Sequence, residues 1–561
     1  MPMAAPTPSP HTVHAAFAAT AARTPDAPFL CVEAVTAATY GIRAGEISWR
    51  EAARQVDALR ARYASAGYGH GHRVGLMLEN RPAFLIHWFA LNALGVSVVP
   101  INAEMRSAEL EYLVGHSDIV LAVVLPGRSH DLHVAANACG VPLATREWRE
   151  DDVDQTASPH PLPTALRPVP RAGQAIGPAT ECALLYTSGT TGRPKGCMLS
   201  NAYFLNVGRW YADIGDVCSV RPDQERIITP LPLNHVNAMC FSLMAILVAG
   251  GCLIQLDRFH PQTWWQSVRE SEATIIHYLG VMPAFLLTAP PADDDRAHAV
   301  RWGFGAGVDR KNHAPFEERF NFPLVEAWAM TETGSAACIM ATHEPRHVGT
   351  NCFGRIPANV EARIVSEKGA DCGIDVPGEL LVRATGVDPR QDFFIGYLKD
   401  QEATEAAWLD GWFHTGDVVR RSAEGDFHFV DRRKNVIRRS GENISAIEVE
   451  SVLNEHPAVA ASGVAATPDT VRGDEVLACI VLRKAPNTPP PERLATSIVR
   501  HALERLAYFK APGYVAFVEA LPLTVSQKIQ RSELRELARN LPGASNCIDT
   551  RAMKRRRKAV T

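Results

Sequence analysis

The feature that most constrains the fold is a recurring exchange between two hydrophobic periods. Residues 73–77 read as a short apolar strand, 82–94 as a helix and 96–100 as another strand. Strand, helix and strand in this rhythm predict crossover units in a layered α/β domain. Upstream, Ser48 followed by Glu51 reads as a capping box. Val56, Leu59 and Tyr63 then recur at helical spacing. A proline-rich stretch, 158–170, has little apolar content and is expected to be a surface loop. The alternation resumes at Cys182 and runs past residue 330; from Gly378 short strands and turns dominate. After about residue 435 a new pattern starts: helix 447–454, strands 461–466 and 475–483, helix 491–506, strand 514–519. That is enough for a separate α+β domain of about 100 residues. The total of 561 residues leaves room for two or more cores.

Composition excludes several functions. Hydrophobic residues are 46%, charged residues 21% and net charge is −4, so bulk electrostatics point to neither nucleic acid nor membrane. No apolar run approaches the roughly 18–20 residues a membrane span needs. The first ten residues lack a charged segment and an apolar segment, so a signal peptide is not expected. Twelve cysteines are scattered without a Cys-x-x-Cys pair, which argues against structural zinc and a disulfide framework and fits a reduced cytoplasm. Residues 554–558 are five consecutive basic residues, expected to be a solvated, disordered terminus.

The strongest local signal runs from Tyr186 to Gly196: Tyr-Thr-Ser-Gly-Thr-Thr-Gly-Arg-Pro-Lys-Gly. It follows an apolar strand at 182–185 and precedes a helix starting near Asn201. Gly189 and Gly192 let backbone N–H groups approach phosphate oxygens. Thr187, Ser188, Thr190 and Thr191 add hydroxyl donors, and Lys195 adds a point charge. The loop is not a Walker A sequence, because Pro194 precedes Lys195 and Gly196 follows it where Ser or Thr is required.

Tyr186 to Gly196 resembles the phosphate loop of the adenylate-forming superfamily, which holds acyl-CoA synthetases, nonribosomal adenylation domains and firefly-type luciferases. Further segments resemble that family's motifs in order. They are Trp328-Ala-Met-Thr-Glu332, with Ala329 in place of a glycine, Gly378-Glu-Leu-Leu-Val-Arg383 and Trp412-Phe-His-Thr-Gly-Asp417. Asp431-Arg-Arg-Lys434, Gly441-Glu-Asn-Ile444, Glu448-Val-Glu450, and Leu521-Pro-Leu-Thr524 with Lys528 complete the series. The resemblance spans about residues 15–540 and is nearest to crotonobetaine/carnitine–CoA ligases over residues 282–333 and 429–444. It implies a large N-terminal layered α/β domain (1–432), a small mobile α+β C-terminal lid (433–540) and a basic, disordered tail (541–561).

The resemblance also implies a two-step reaction. Carboxylate attacks the α-phosphorus of ATP, and CoA thiol then attacks the acyl-adenylate. Joining two anions requires positive charge and oriented donors. Lys195 and the loop suit the terminal phosphates. Glu332 and Thr187 are the implied Mg²⁺ ligands, a carboxylate and a hydroxyl being suitable hard donors. Asp417, an acceptor-only group when ionised, would take the ribose hydroxyls beside Arg432. Gly305, Ala306 and Gly307 resemble the adenine turn, with Trp328 stacked opposite and Thr331 nearby. Lys528 is the implied catalytic lysine, acting with Thr187 and Glu332; Gln527 stands where the family has glycine. Lys434 falls at the hinge, and Gly441 at the pantetheine tunnel. The acyl pocket is expected near His235, Asn237, Val281, Met282, Met330 and Gly334, with His235 as a gate. Asn237 is neutral, which disfavours a free α-amino acid. The expected function is an ATP-, Mg²⁺- and coenzyme A-dependent ligase of a small-to-medium organic acid, cytoplasmic, with a homodimer as the candidate assembly. The expected partners are the small-molecule acid, ATP and CoA, with no nucleic acid and no membrane span. An aryl-CoA ligase of a benzoate-like acid, or an acyl-AMP ligase loading a separate carrier protein, stays open.

Overall fold

The computed structural model describes residues 10–149, 161–187, 193–432, 436–483, 489–522 and 529–555. Within them the chain builds four sheets. In the first, five parallel strands lie in the order Glu181–Thr187, Ser97–Pro100, Arg73–Met77, Ile119–Val124, Ala144–Glu147. Lys195–Ser200 returns antiparallel against Glu181–Thr187, and Gly396–Tyr397 adds antiparallel beyond it. Ile119–Val124 is buried at every position, as a parallel strand covered on both faces must be. The second sheet has a parallel centre: Leu324–Trp328, Trp302–Gly305, Ile275–His277, Arg226–Thr229, Cys252–Gln255 and Pro28–Val32.

The helix Pro82–Asn92 is buried at every residue after Pro82. A helix apolar on all sides belongs inside a core rather than on its surface. Its Phe89 stacks on Phe17 with centroids 4.6 Å apart, and its Trp88 meets Phe204 edge-on at 5.1 Å. Half of the expected capping box forms: Ser48 Oγ accepts from Glu51 N at 3.2 Å and opens the helix Trp49–Ser65. The Glu51 carboxylate turns instead to Arg54 and Gln55. Val56, Leu59 and Tyr63 face the core as their spacing predicts.

A third, antiparallel sheet spans residues 352–432 and ends on Phe427–Arg432. The next strand, Val436–Arg439, belongs to the fourth sheet, which forms a smaller α+β unit with its own core. The helices Ala446–Asn454 and Pro491–Arg505 pack Val449, Leu453, Ile498 and Val499 against Val476, Ile480 and Val515. The link at 433–435 lies outside the described residues.

The expectation of a disordered tail from 541 is corrected over residues 541–555. Cys547–Asp549 joins the fourth sheet antiparallel to Tyr514–Phe517. Beyond it, Lys554 reaches the core, where Nζ lies 2.5 Å from Glu475 Oε1 with both side chains fully buried. Glu475 also accepts from Arg439 at 2.8 Å. A buried carboxylate demands cationic partners, and Lys554, the first residue of the basic run, answers that demand. No described helix is long and apolar enough to cross a membrane.

Candidate active site

Three expected residues meet where the first sheet ends. Thr187 closes its strand and pairs across the hairpin with Lys195. Lys195 Nζ sits 4.8 Å from the centre of the Tyr397 ring. The Tyr397 hydroxyl donates to Glu332 Oε1 at 2.8 Å, and both residues are buried. Burial, and then the Glu332 charge, push the Tyr397 phenol well above its usual range, so it stays a donor. Hydroxyl, ammonium and carboxylate thus converge from distant parts of the chain. One carboxylate with a hydroxyl fits Mg²⁺, which fills its shell with water and phosphate oxygens. The helix Ser107–Ser117 props both flanks of the loop: Tyr112 donates to the Pro194 carbonyl at 2.7 Å, and His116 Nδ1 meets the Tyr186 hydroxyl at 2.8 Å. Ser188, Gly189, Thr190, Thr191 and Gly192 lie outside the described residues.

Asp417 and Arg432 are direct partners in the third sheet. The side chain of Arg432 is outside the description. Trp328 donates its indole N–H to Asp417 Oδ2 at 2.9 Å, both groups being buried. One carboxylate oxygen is therefore committed to the tryptophan expected to stack on adenine.

The turn at Gly305, Ala306 and Gly307 is held from beneath. Gly307 N and Val308 N donate to the two oxygens of Glu326 at 2.8 and 2.9 Å. Burial raises the Glu326 carboxyl, and these two N–H groups pull it back. Gly280 N donates to the Ala306 carbonyl at 3.0 Å. A Cβ at Gly305 would lie 2.4 Å from the Tyr278 carbonyl oxygen, so only glycine fits. Glu326→Ala strands the buried Val308 N–H, at about 1–3 kcal/mol, and leaves the exposed Gly307 N–H to solvent. A rise in KM for ATP of about tenfold or more is expected, measured by steady-state kinetics, with Glu326→Gln milder.

The expected acyl region is polar beneath and aromatic at its side. Asn237 opens a π-helical turn, Asn237–Ser242, a distortion common at functional sites. Its Oδ1 lies 3.2 Å from His277 Nδ1, which also meets Ser242 Oγ at 2.7 Å. His277 Nε2 faces the Tyr211 hydroxyl at 2.7 Å. Burial lowers His277 to about 3, so the ring is neutral. An amide oxygen can only accept, which assigns the proton to Nδ1 and makes Tyr211 the donor at Nε2. Phe304, Phe241 and Trp210 pack together beside this network. Met282 is buried against Tyr278 and Val308, and Val281 begins the helix Val281–Leu287. Met330 N donates to Thr333 Oγ1, and the Thr331 carbonyl accepts from Tyr203. Gly334 packs on the Tyr203 ring.

The small domain lays a hairpin, Val436–Arg439 and Glu442–Ser445, over this region. At its tip Gly441 has φ +90°, and a Cβ there would lie 2.3 Å from Leu279 Cδ1. The next residue, Glu442, pairs with His235 at 3.0 Å. Burial opposes charge on His235, yet the Glu442 carboxylate prevails and its pKa is raised. The pair is strongest on the acid side and weakens as pH climbs past that raised value. Lys434 and Lys528 lie outside the described residues.

This architecture has known counterparts. The family profile described as AMP-binding enzyme matches residues 17–389, and that of the AMP-binding enzyme C-terminal domain matches residues 448–528. The chain belongs to the AMP-binding enzyme family. A sulfoacetate–CoA ligase of Cupriavidus necator is 29% identical over 533 residues, covering 93% of this chain and 97% of that one. A crotonobetaine/carnitine–CoA ligase of Escherichia coli is 28% identical over 499 residues, covering 87% and 93%. Among solved structures, o-succinylbenzoate CoA synthetase of Bacillus subtilis, a double mutant with a product analogue, superposes with TM-score 0.76 at 23% identity, covering 93% and 98%. The same synthetase with AMP gives 0.61 at 23% identity, covering 92% and 97%. A malonyl-CoA ligase with methylmalonyl-CoA and AMP gives 0.70 at 25% identity, covering 89% and 97%. The protein is an AMP-forming acid–thiol ligase that uses ATP and CoA.

In this AMP-binding enzyme several site residues carry no sequence signal. Tyr397 sits in a two-residue strand without periodicity. Glu326 is one acidic residue in an otherwise apolar strand, a mark that could have singled it out. His277 and Tyr211 read as ordinary members of a strand and a helix. Glu442 lies inside a quoted motif, but its partner is 207 residues away.

Proposed function

We propose that the chain is an ATP-dependent carboxylic acid:CoA ligase working in two half-reactions with the small domain in two arrangements. The observation that carries this is the hairpin docked on the large domain, with Gly441 against Leu279 and Glu442 on His235. Such docking suits the second step, in which a thiol must enter between the domains. The better superposition on a product-analogue complex than on an AMP complex of one synthetase supports the same reading.

In the first step Lys195, Thr187 and the loop bind the terminal phosphates. Glu332, braced by Tyr397, and Thr187 would hold Mg²⁺, which supplies charge neutralisation on phosphate oxygens. Asp417, held by Trp328, and Arg432 orient the ribose. The turn at 305–307 receives adenine. Lys528 from the small domain offsets negative charge as the acyl–phosphate bond forms. After the domain pivots at Lys434, Gly441 leaves space for pantetheine, and His235 is drawn aside by Glu442. The acid is a small-to-medium organic acid, crotonobetaine- or carnitine-like. The neutral Asn237–His277–Ser242 network supports it, since it offers no carboxylate to pair with a free amino group.

The test is a panel of carboxylic acids, including trimethylammonium, sulfonate and benzoate-like members, with ATP, Mg²⁺ and CoA. AMP, pyrophosphate and one acyl-CoA in equal amounts are expected for the true substrate. ADP in place of AMP, or AMP without thioester for every acid that exchanges pyrophosphate, would overturn the reading.

A further inference from the structure

Away from the reacting centre, one buried charge cluster crosses between the domains. Lys510 Nζ, on the small domain, lies 2.6 Å from Glu109 Oε1 of the large domain and 2.8 Å from Glu448 Oε1 of its own. The three side chains are 11%, 4% and 13% exposed. Glu109 Oε2 also accepts from Ala507 N of the small domain at 2.7 Å. It accepts from Arg106 N at 3.0 Å as well, within the cap of the helix Ser107–Ser117. Two donors from the small domain thus converge on one carboxylate of the large domain. Nothing in the two chemical steps uses these groups.

Buried charges are tolerated only when paired, and removing one partner is far costlier than losing an exposed pair. The two partners of Lys510 differ in kind. Glu448 moves with Lys510, since both belong to the small domain. Glu109 is within reach only while the domains are docked as they are here. The energy of the Lys510–Glu109 contact therefore counts in one arrangement and not in the other, which is what a ligand or contact must do to bias an equilibrium. Glu448 lies three residues after the hairpin strand end at Ser445, and its N–H reaches Ser445 Oγ at 3.4 Å. The cluster is thus continuous with the element that carries Gly441 and Glu442.

We propose that Glu109 and Lys510 form a latch that holds the small domain in the thioester-forming arrangement, Glu109 being a positioning residue for CoA attack. This rests on the two-arrangement reading above. The latch releases when the domain pivots, and Lys510 then keeps Glu448 as counter-ion, so no lysine is left buried and unpaired.

The experiment compares two half-reactions of the full-length protein. Pyrophosphate exchange into ATP reports the first; single-turnover thioester formation from pre-formed acyl-adenylate and CoA reports the second. Glu109→Gln keeps an acceptor for Arg106 N, so the helix cap survives, while the charge is lost. It is expected to slow thioester formation about tenfold or more and to leave exchange within about twofold of wild type. Lys510→Met should do the same more strongly, because it leaves Glu109 and Glu448 without their shared cation. The double variant should be no slower than Lys510→Met alone, the mark of two groups acting as a unit. Equal losses in both half-reactions, or losses that multiply in the double variant, would overturn the latch. So would a Glu109→Gln protein with unaltered thioester formation. A wild-type protein that forms adenylate but never thioester would overturn the two-step reading, and the latch with it.

Discussion

Lys528→Ala is expected to reduce acyl-adenylate formation by about 10²–10³-fold, the usual cost of removing one donor aimed at developing charge. The first half-reaction brings a carboxylate onto a triphosphate, so negative charge accumulates where the new bond forms. In the proposed reading Lys195 and a bound cation serve the terminal phosphates. The small domain is the proposed source of the positive charge at the α-phosphate. Thioester formation from pre-made acyl-adenylate, in which the thiol gives up its proton and AMP leaves as an anion, should not use this lysine, because in the proposed second arrangement the small domain has pivoted and Lys528 no longer faces the α-phosphate. That second half-reaction should therefore stay within about threefold of wild type, on the same argument that only transition-state contacts change rate. Pyrophosphate exchange and single-turnover thioester assays separate the two. Equal losses in both would assign Lys528 to structure rather than chemistry.

Gly441→Val should produce the opposite pattern. The backbone there has φ +90°, a conformation that β-branched residues avoid. Strain of this kind costs about 1–3 kcal/mol. The added Cβ would also crowd Leu279 at 2.3 Å. Leu279 can turn its methyl aside, but the backbone strain stays and the second methyl of valine fills the space proposed for pantetheine. The backbone strain travels with the hairpin in both arrangements, but the crowding of Leu279 and of the thiol path arises only where the hairpin is docked, so thioester formation should fall about tenfold to a hundredfold. Adenylate formation, which in the proposed reading uses the other arrangement, should persist. A Gly441→Ala variant should lie between wild type and valine. A valine variant with normal CoA turnover would remove Gly441 from the proposed thiol path.

Much of the architecture was written locally. The strand–helix–strand rhythm at 73–100 placed the parallel sheet, because burial on both faces makes such strands continuously apolar. The period change after residue 435 marked the second unit, since each unit must bury its own core. The AMP-binding family was legible from its phosphate loop and its ordered motifs, because polyphosphate chemistry restricts residue types at adjacent positions.

What the tertiary structure decided was which charges meet. Nothing near Glu332 announces Tyr397, nothing near Asp417 announces the Trp328 indole, and nothing near Glu109 announces Lys510, 401 residues away. The composition of the basic run at the C-terminus predicts a solvated tail, yet Glu475 holds its first residue, Lys554. The physical reason is one of range. Hydrophobic period records how a residue faces its own core over a few neighbours, so sequence alone suffices to place elements. A buried ion pair depends on the desolvation of both partners together, and that is settled only when the folded chain brings them to the same place.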